Sequence, residues 1–218
     1  MIRDLSQPSR EIMIFSMSSY SWRKIHAQPP VGFSWDRLRF NTYQNVCVNS
    51  VVHLMLTESE SFDILAFDLR TEKFSIITTP QGVMPEIYHV ALQDDPYIIK
   101  VNGCIGVVCY DSVEETNQMH IWILQDYENR VWVKETITFP EPWIKLEDRL
   151  PFPVDSVNMD EIILSSIKFS DNMIRAGVYN KKNRCFKSLQ FASGHQFSLS
   201  GTLQIDHIRC YVESMVPL

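Results

Sequence analysis

The sequence predicts an all-β protein, a partial β-propeller of about three to four blades built from antiparallel four-stranded units. Short runs rich in Val, Ile, Phe, Tyr and Trp recur along the 218 residues, separated by clusters of Pro, Asn, Asp, Ser and Gly. Few windows place apolar residues at the spacing of an amphipathic helix. One hairpin pattern recurs at intervals of 52, 58 and 54 residues, which is typical of propeller blades.

The hairpin pattern consists of four segments that align on a large aromatic residue after a short polar turn. An aromatic residue precedes this anchor by seven positions in three segments, and Leu124 precedes it by eight in the third segment, which predicts one extra turn residue there. An Asp, Asn or Ser side chain starts each turn, and we expect the bulky anchors to pack between blades. The four blade anchors are Trp22, Phe74, Trp132 and Phe186.

Another strand is predicted ahead of each later hairpin, so the repeating unit is a strand, a loop and a hairpin. These strands cover residues 46–56, 98–110 and 161–167. The unit occurs three times in full, with a partial unit at each end; a strand at 207–212 belongs to the last one. A length of 218 residues therefore holds about four blades, fewer than we expect for a closed ring, and the ends are predicted to expose unpaired strand edges.

Composition excludes several classes of protein. Twenty basic and 26 acidic residues give a net charge of −6, which argues against a general nucleic-acid binder. A hydrophobic fraction of 45% is too high for a disordered chain, and the few apolar runs are far shorter than a membrane helix. Five widely spaced cysteines and no secretory signal predict a cytoplasmic or nuclear protein that uses neither membrane nor nucleic acid as a partner.

Three motifs resemble a known family. Residues 46–53 read VCVNSVVH, residues 67–74 read FDLRTEKF, and residues 121–126 read IWILQD ahead of Trp132 and Lys134. Together with the hairpin repeat over residues 12–190, they resemble the F-box-associated domain of plant F-box proteins, a kelch-like β-propeller, most closely its type 3 version. The resemblance implies one partial propeller domain over residues 1–218.

Two departures from the family pattern are visible. Ser50 stands where the family usually has Gly, and no segment ahead of Trp22 resembles the helical F-box itself. In the family the F-box binds the Skp1-type adaptor of a cullin ubiquitin ligase, while the propeller captures the protein to be ubiquitinated. The resemblance therefore implies an unidentified protein substrate as partner, and a Skp1-type adaptor only where an F-box is supplied upstream.

Catalytic patterns are absent from the sequence. No Gly-x-Ser-x-Gly elbow occurs, and the six histidines show no metal-ligand spacing. The adjacent acids Asp94-Asp95 and Glu114-Glu115 fit solvated loops better than a glycosidase pair. The sequence predicts a non-enzyme with no catalytic, metal or cofactor site. A propeller-type hydrolase or sugar-active enzyme, and a free-standing interaction module not coupled to ubiquitination, stay open as alternatives.

Loop charge suggests where a partner binds. The loops between second and third strands carry a charge of −5, and the hairpin turns carry +3, so the resemblance places opposite charges on the two faces. We expect the acidic face to attract a basic segment of a partner protein. Trp143, next to a proline-rich stretch, is a second candidate contact. The acidic candidates are Glu58, Glu60, Asp111, Glu114 and Glu115.

Overall fold

The computed structural model of the chain forms β-strands and no α-helix within the residues that it describes. The description covers residues 12–31, 33–35, 45–56, 62–81, 83, 96–109, 118–138, 152–156, 158, 160–170 and 173–192.

Twelve strands form three antiparallel four-stranded sheets, in each of which every strand pairs with the next along the chain. Sheet 1 contains β3 (Asn45–Val48), β4 (Val51–Met55), β5 (Ile64–Asp68) and β6 (Lys73–Ile77). Sheet 2 contains β7 (Tyr97–Val101), β8 (Cys104–Cys109), β9 (Gln118–Asp126) and β10 (Val131–Thr138). Sheet 3 contains β11 (Phe152–Ser156), β12 (Glu161–Ser170), β13 (Met173–Asn180) and β14 (Cys185–Ala192). The end hairpin, ahead of them, pairs β1 (Ile12–Ser16) with β2 (Ser21–Ile25).

The sheets are arranged as neighbouring blades. Their first strands approach one another, β3 next to β7 and β7 next to β11, so these three strands form the inner edge of the assembly. The third and fourth strands lie toward the outside. The predicted fold class, a partial β-propeller of four-stranded antiparallel units, is confirmed.

The prediction of one strand over residues 46–56, and of one over 98–110, is wrong. Each segment is itself a hairpin, closed by the two-residue turns Asn49-Ser50 and Asn102-Gly103. Both residues of each turn have positive φ, between 49° and 77°, as a type I′ turn requires. The short turn leaves no polar gap in the β-branched run, so the pattern of residue types hides it.

Two other expectations need correction. Strand β11 was not expected because Pro153 interrupts its apolar pattern; β11 pairs only with β12, and an edge strand tolerates proline. The extra residue of the third hairpin lies in a strand and not in its turn. All four outer turns have four residues, and the register shifts between Val131 and Trp132, which leaves Gln125 as a bulge.

Each anchor pairs directly with the residue that the repeat places opposite it. Phe15 faces Trp22, Phe67 faces Phe74, and Tyr179 faces Phe186, with ring centroids 5.2, 4.7 and 4.7 Å apart. In the second sheet Leu124 faces Trp132.

The side of each anchor pair that contacts other residues is the same in all three sheets. Phe186 packs into the apolar layer between sheets 2 and 3, and Trp132 packs into the layer between sheets 1 and 2. Phe74 contacts Trp35, which precedes sheet 1, at a centroid distance of 6.2 Å. Each pair therefore faces the part of the chain that precedes its own sheet.

Two seams, defined as the apolar layers between neighbouring sheets, form most of the core. The 1–2 seam is lined mainly by aliphatic residues, with Trp122, Tyr127 and Trp132 at its margin. The 2–3 seam is lined by Ile, Val and Leu together with Tyr97 and Tyr179. Burial of these side chains contributes roughly 1.5 to 3 kcal/mol each.

Candidate interaction surfaces

The outer hairpin turns form one face of the assembly. In sheet 1 the Asp68 carboxylate accepts hydrogen bonds from the backbone N–H groups of Arg70 (2.7 Å) and Thr71 (3.3 Å), and the bond from Arg70 is the main reason that the pKa of Asp68 is lowered. The Leu69 N–H donates to the carbonyl of Ser50 at 2.9 Å. The outer turn is thereby joined to the inner two-residue turn of the same sheet, and both lie at the same end of the strands.

The same turn chemistry recurs in the other two sheets. Asp126 accepts bonds from the backbone of Glu128 and Asn129, both at 3.0 Å, and a bond from the Asn129 side chain is the largest cause of its lowered pKa. Asn180 accepts a bond from the Asn183 backbone at 2.9 Å. The turns are therefore rigid Asx-type structures.

The last residue of each outer turn is left-handed. This position is held by Tyr20, Glu72, Arg130 and Arg184, with φ between 48° and 57°.

Outer turns also contact the sheet before their own. Glu72 accepts a hydrogen bond from Arg23 of the end hairpin, which lowers the pKa of the Glu72 carboxyl. Lys181, the first residue of the third sheet's turn, donates to Glu135 of β10 at 3.0 and 3.2 Å. The basic charge predicted for the hairpin face is thus partly paired, because Lys181 is one of its three basic residues in this turn.

The predicted acidic loops and Trp143 lie outside the described residues: Glu58, Glu60, Asp111, Glu114, Glu115 and Trp143 belong to this set. The strands that flank them are described. One loop follows β4 and the other follows β8, and each leads to the third strand of its sheet. In an antiparallel meander both connections leave the end opposite the outer hairpin turns.

His53 is a site residue that the sequence did not predict. It lies on β4, 1% exposed, facing sheet 2, and neither ring nitrogen has a hydrogen-bond partner among the described residues. Tyr127, from the outer turn of sheet 2, contacts its ring edge-on at a centroid distance of 5.8 Å. Burial lowers the pKa of His53 to about 4, with a smaller contribution from the positive charge of Arg130.

Two further polar groups at the 1–2 seam have no described partner. The indole N–H groups of Trp122 and Trp132 are both buried and unpaired. Lys134 Nζ lies 5.6 Å from the Trp122 ring, and Arg130 lies 4.5 Å from the Tyr127 ring, so two cations stack on the aromatic margin of the seam. No residue spacing indicates these orphaned groups, because they arise from contacts between sheets.

The end hairpin exposes large apolar side chains. Trp22 is 64% exposed and Phe15 is 39% exposed, although the equivalent Phe67 and Tyr179 are buried. Tyr20 and Met17 extend this surface into the turn. Trp and Tyr are the residue types that contribute most at protein interfaces, so this hairpin is the most apolar exposed surface in the described part of the chain.

Groups of three or more His, Cys, Asp or Glu side chains close enough to hold a metal ion do not occur in the described residues. The same part of the chain also holds no helix with the length and hydrophobicity needed to cross a membrane.

Four-bladed-type repeats of this kind, with rigid turns on one face and longer loops on the other, define a β-propeller interaction domain. The F-box associated beta propeller domain family matches residues 1–211, and the chain belongs to this family. The predicted resemblance is confirmed.

Similar curated proteins come from Arabidopsis thaliana. F-box protein At1g30790 is 29% identical over 167 residues, covering 72% of this chain and 38% of that protein. F-box protein At4g22390 is 23% identical over 77% of this chain and 44% of its own length. Putative F-box protein At2g16220 is 23% identical over 91% and 47%. The chain thus spans less than half the length of each of these relatives.

Proposed function

We propose that this chain is a protein-recognition module, the substrate-capturing part of a receptor in an SCF-type ubiquitin ligase. The observation that supports this most is the family match over residues 1–211, together with relatives named as F-box proteins. The domain captures a protein substrate, and a Skp1-type adaptor joins only through an F-box. The chain acts without chemistry of its own, in the cytoplasm or nucleus.

The proposed substrate site is the face opposite the outer turns. The loops after β4 and β8 leave from this face, and they carry five acidic residues and no basic ones. An acidic surface attracts a basic segment and orients it through charge-assisted hydrogen bonds. The opposite face is a less suitable receptor, because its turn residues are already bonded to their own backbone or to the preceding sheet.

Charge reversal tests this site. The chain is used as bait in plant cell extract, and captured proteins are quantified by mass spectrometry for the wild type and for a variant with Lys at positions 58, 60, 114 and 115. We expect the specific partners to be lost at least about tenfold, because rim and central charges together contribute more than about 1.4 kcal/mol.

A matched control carries the same kind of change on the other face, with Glu128→Lys and Asp160→Lys at two exposed acids of the turn face. The control is expected to retain its partners. Equal partner recovery from all three baits would remove the acidic face as the substrate site. The recognition function itself would survive that result if specific partners were still captured.

A further inference from the structure

The end hairpin lacks neighbours that the other sheets have. Strands β5, β9 and β13 are third strands and are paired on both sides, whereas the equivalent strand β1 is paired only with β2 among the described residues. Each other anchor pair packs toward the part of the chain before it. The corresponding side of the end hairpin, with Phe15 and Trp22, is exposed. One end of the row of sheets therefore presents an apolar sheet face with nothing described against it.

The other end of the row is the side of sheet 3 that points away from sheet 2. Because side chains alternate along a strand, Ile163, Val178, Lys187 and Leu189 point to this side while Tyr179 and Phe186 point to the seam. Ile163 and Val178 are buried in its centre. Leu189, at its outer strand, is 38% exposed.

Equivalent positions in the existing seams show which residues would meet across such a face. At the 2–3 seam the first turn residue, Lys181, bonds to Glu135, the third residue after the preceding anchor. At the 1–2 seam the equivalent residues are Tyr127 and Ile77, which belong to one apolar layer. At the two open ends the equivalent residues are Met17 and Leu189. Both are exposed apolar side chains, so they match each other chemically.

We propose that the chain associates with a second copy of itself, head to tail, with Phe15, Met17 and Trp22 of one copy against the Leu189 side of sheet 3 of the other. The contact repeats the geometry of the internal seams, and both of its halves are present in each chain. Such a contact is heterologous: two copies close into a ring where the rotation permits, and otherwise extend into longer assemblies. The proposal does not depend on the proposed function.

Sedimentation velocity of the 218-residue chain tests the proposal over a concentration range of about 1 to 100 µM. We expect a species of at least twice the 25.4 kDa of one chain. Trp22→Glu and Leu189→Glu should each weaken association at least about tenfold, because each buries a charge in an apolar contact. Lys24 and Lys187 lie on the two faces, so added salt should strengthen the contact.

Mixing the two variants gives the decisive result. Trp22→Glu retains an intact Leu189 face, and Leu189→Glu retains an intact Trp22 face, so the equimolar mixture should form a heterodimer through one intact contact. Val31→Glu, at a fully exposed position, is the matched control and should associate like the wild type. Circular dichroism confirms that each variant is folded.

A wild type that stays monomeric at the highest concentration overturns the proposal, and so does a folded Trp22→Glu variant that associates normally. Failure of the folded variants to combine would also overturn it, since an isologous contact would then explain any dimer better.

Discussion

The two seams between the sheets have the same architecture but treat polar groups differently. At the 2–3 seam, polar groups are paired across the sheets: Lys181 bonds to Glu135 at 3.0 Å, and the Asn102 N–H donates to Ser156 Oγ at 2.7 Å. At the 1–2 seam, His53 and the indoles of Trp122 and Trp132 are buried without a described hydrogen-bond partner. The repeat thus fixes the packing of apolar residues but not the pairing of polar ones.

The difference teaches which properties belong to the fold and which to a particular seam. Aliphatic packing at equivalent positions should have the same energetic weight in both seams. Response to pH should be concentrated at the 1–2 seam, because a buried neutral histidine is destabilising once it is protonated. Response to salt should be concentrated at the 2–3 seam, where a partly exposed ion pair crosses the sheets.

The largest expected effect is the loss of a buried isoleucine. Ile64 and Ile121 occupy equivalent positions on β5 and β9, each three residues before the partner of the anchor, and both are 0% exposed. Ile64→Ala and Ile121→Ala should each lower the free energy of unfolding by about 2 to 5 kcal/mol. Urea unfolding at pH 7 measures both values.

The two isoleucine costs should agree within about 1 kcal/mol, because one position faces the 1–2 seam and the other the 2–3 seam. A much smaller loss for Ile64 would mean that the seam with unpaired polar groups is loosely packed.

Protonation of His53 gives the next largest effect. The pKa of His53 is about 4 in the folded chain and about 6.5 when unfolded, so below pH 6.5 the unfolded state binds more protons. Stability should therefore be fully present above pH 6.5 and fall by about 3 kcal/mol as the pH drops to 4. Urea unfolding at several pH values measures the slope.

Other groups, such as Asp68 and Asp126, also lose favourable contacts in acid, so the informative quantity is the difference between the wild type and His53→Leu. The variant should lack the part of the slope that His53 causes. His26→Gln, at an exposed position, should retain it. Identical slopes for the wild type and His53→Leu would contradict the buried, neutral state of this ring.

The inner turns of the two sheets provide a smaller effect of opposite sign. Ser50 has φ of 64° and Gly103 has φ of 77°, and an added Cβ at Gly103 would meet no atom within 4 Å. Ser50→Gly should stabilise sheet 1 by up to about 1 kcal/mol, since glycine adopts this conformation without strain. Gly103→Ser should destabilise sheet 2 by about the same amount. Thermal unfolding of both variants measures the shifts, and shifts of the same sign would contradict the equivalence of the turns.

The smallest expected effect concerns the ion pair of the 2–3 seam. Lys181 and Glu135 side chains are 22% and 32% exposed, so Glu135→Gln should cost only about 0.5 kcal/mol. The loss should shrink further in high salt. A double-mutant cycle with Lys181→Met isolates the pair, and a coupling energy that does not change with salt would argue against a screened surface interaction.

The sequence predicted the fold well where chemistry is local. Aromatic residues on both sides of a short polar turn predicted the register Phe15 with Trp22, Phe67 with Phe74 and Tyr179 with Phe186, because a turn of fixed length determines which residues face each other. The inner turns escaped notice because Asn49-Ser50 continues a run of β-branched residues. Strand β11 escaped notice because of Pro153.

The surfaces were harder to predict than the fold. The burial of His53 and the unpaired Trp122 and Trp132 indoles depend on which sheet lies opposite, and residue spacing contains no such information. The exposure of Trp22 follows from its place at the end of the row, although its repeat position equals that of the half-buried Phe74. The acidic loop residues and Trp143 stay predictions.

The central claim is that this chain captures a protein for a ubiquitin ligase, and adaptor recruitment tests it most directly. The F-box of a relative is fused ahead of residue 1, and binding of a Skp1-type adaptor and of the captured proteins is measured in one pull-down. The account predicts that the unfused chain captures the same proteins without adaptor, and that the fusion brings both into one complex. A fusion that binds the adaptor but captures no specific protein would contradict the account.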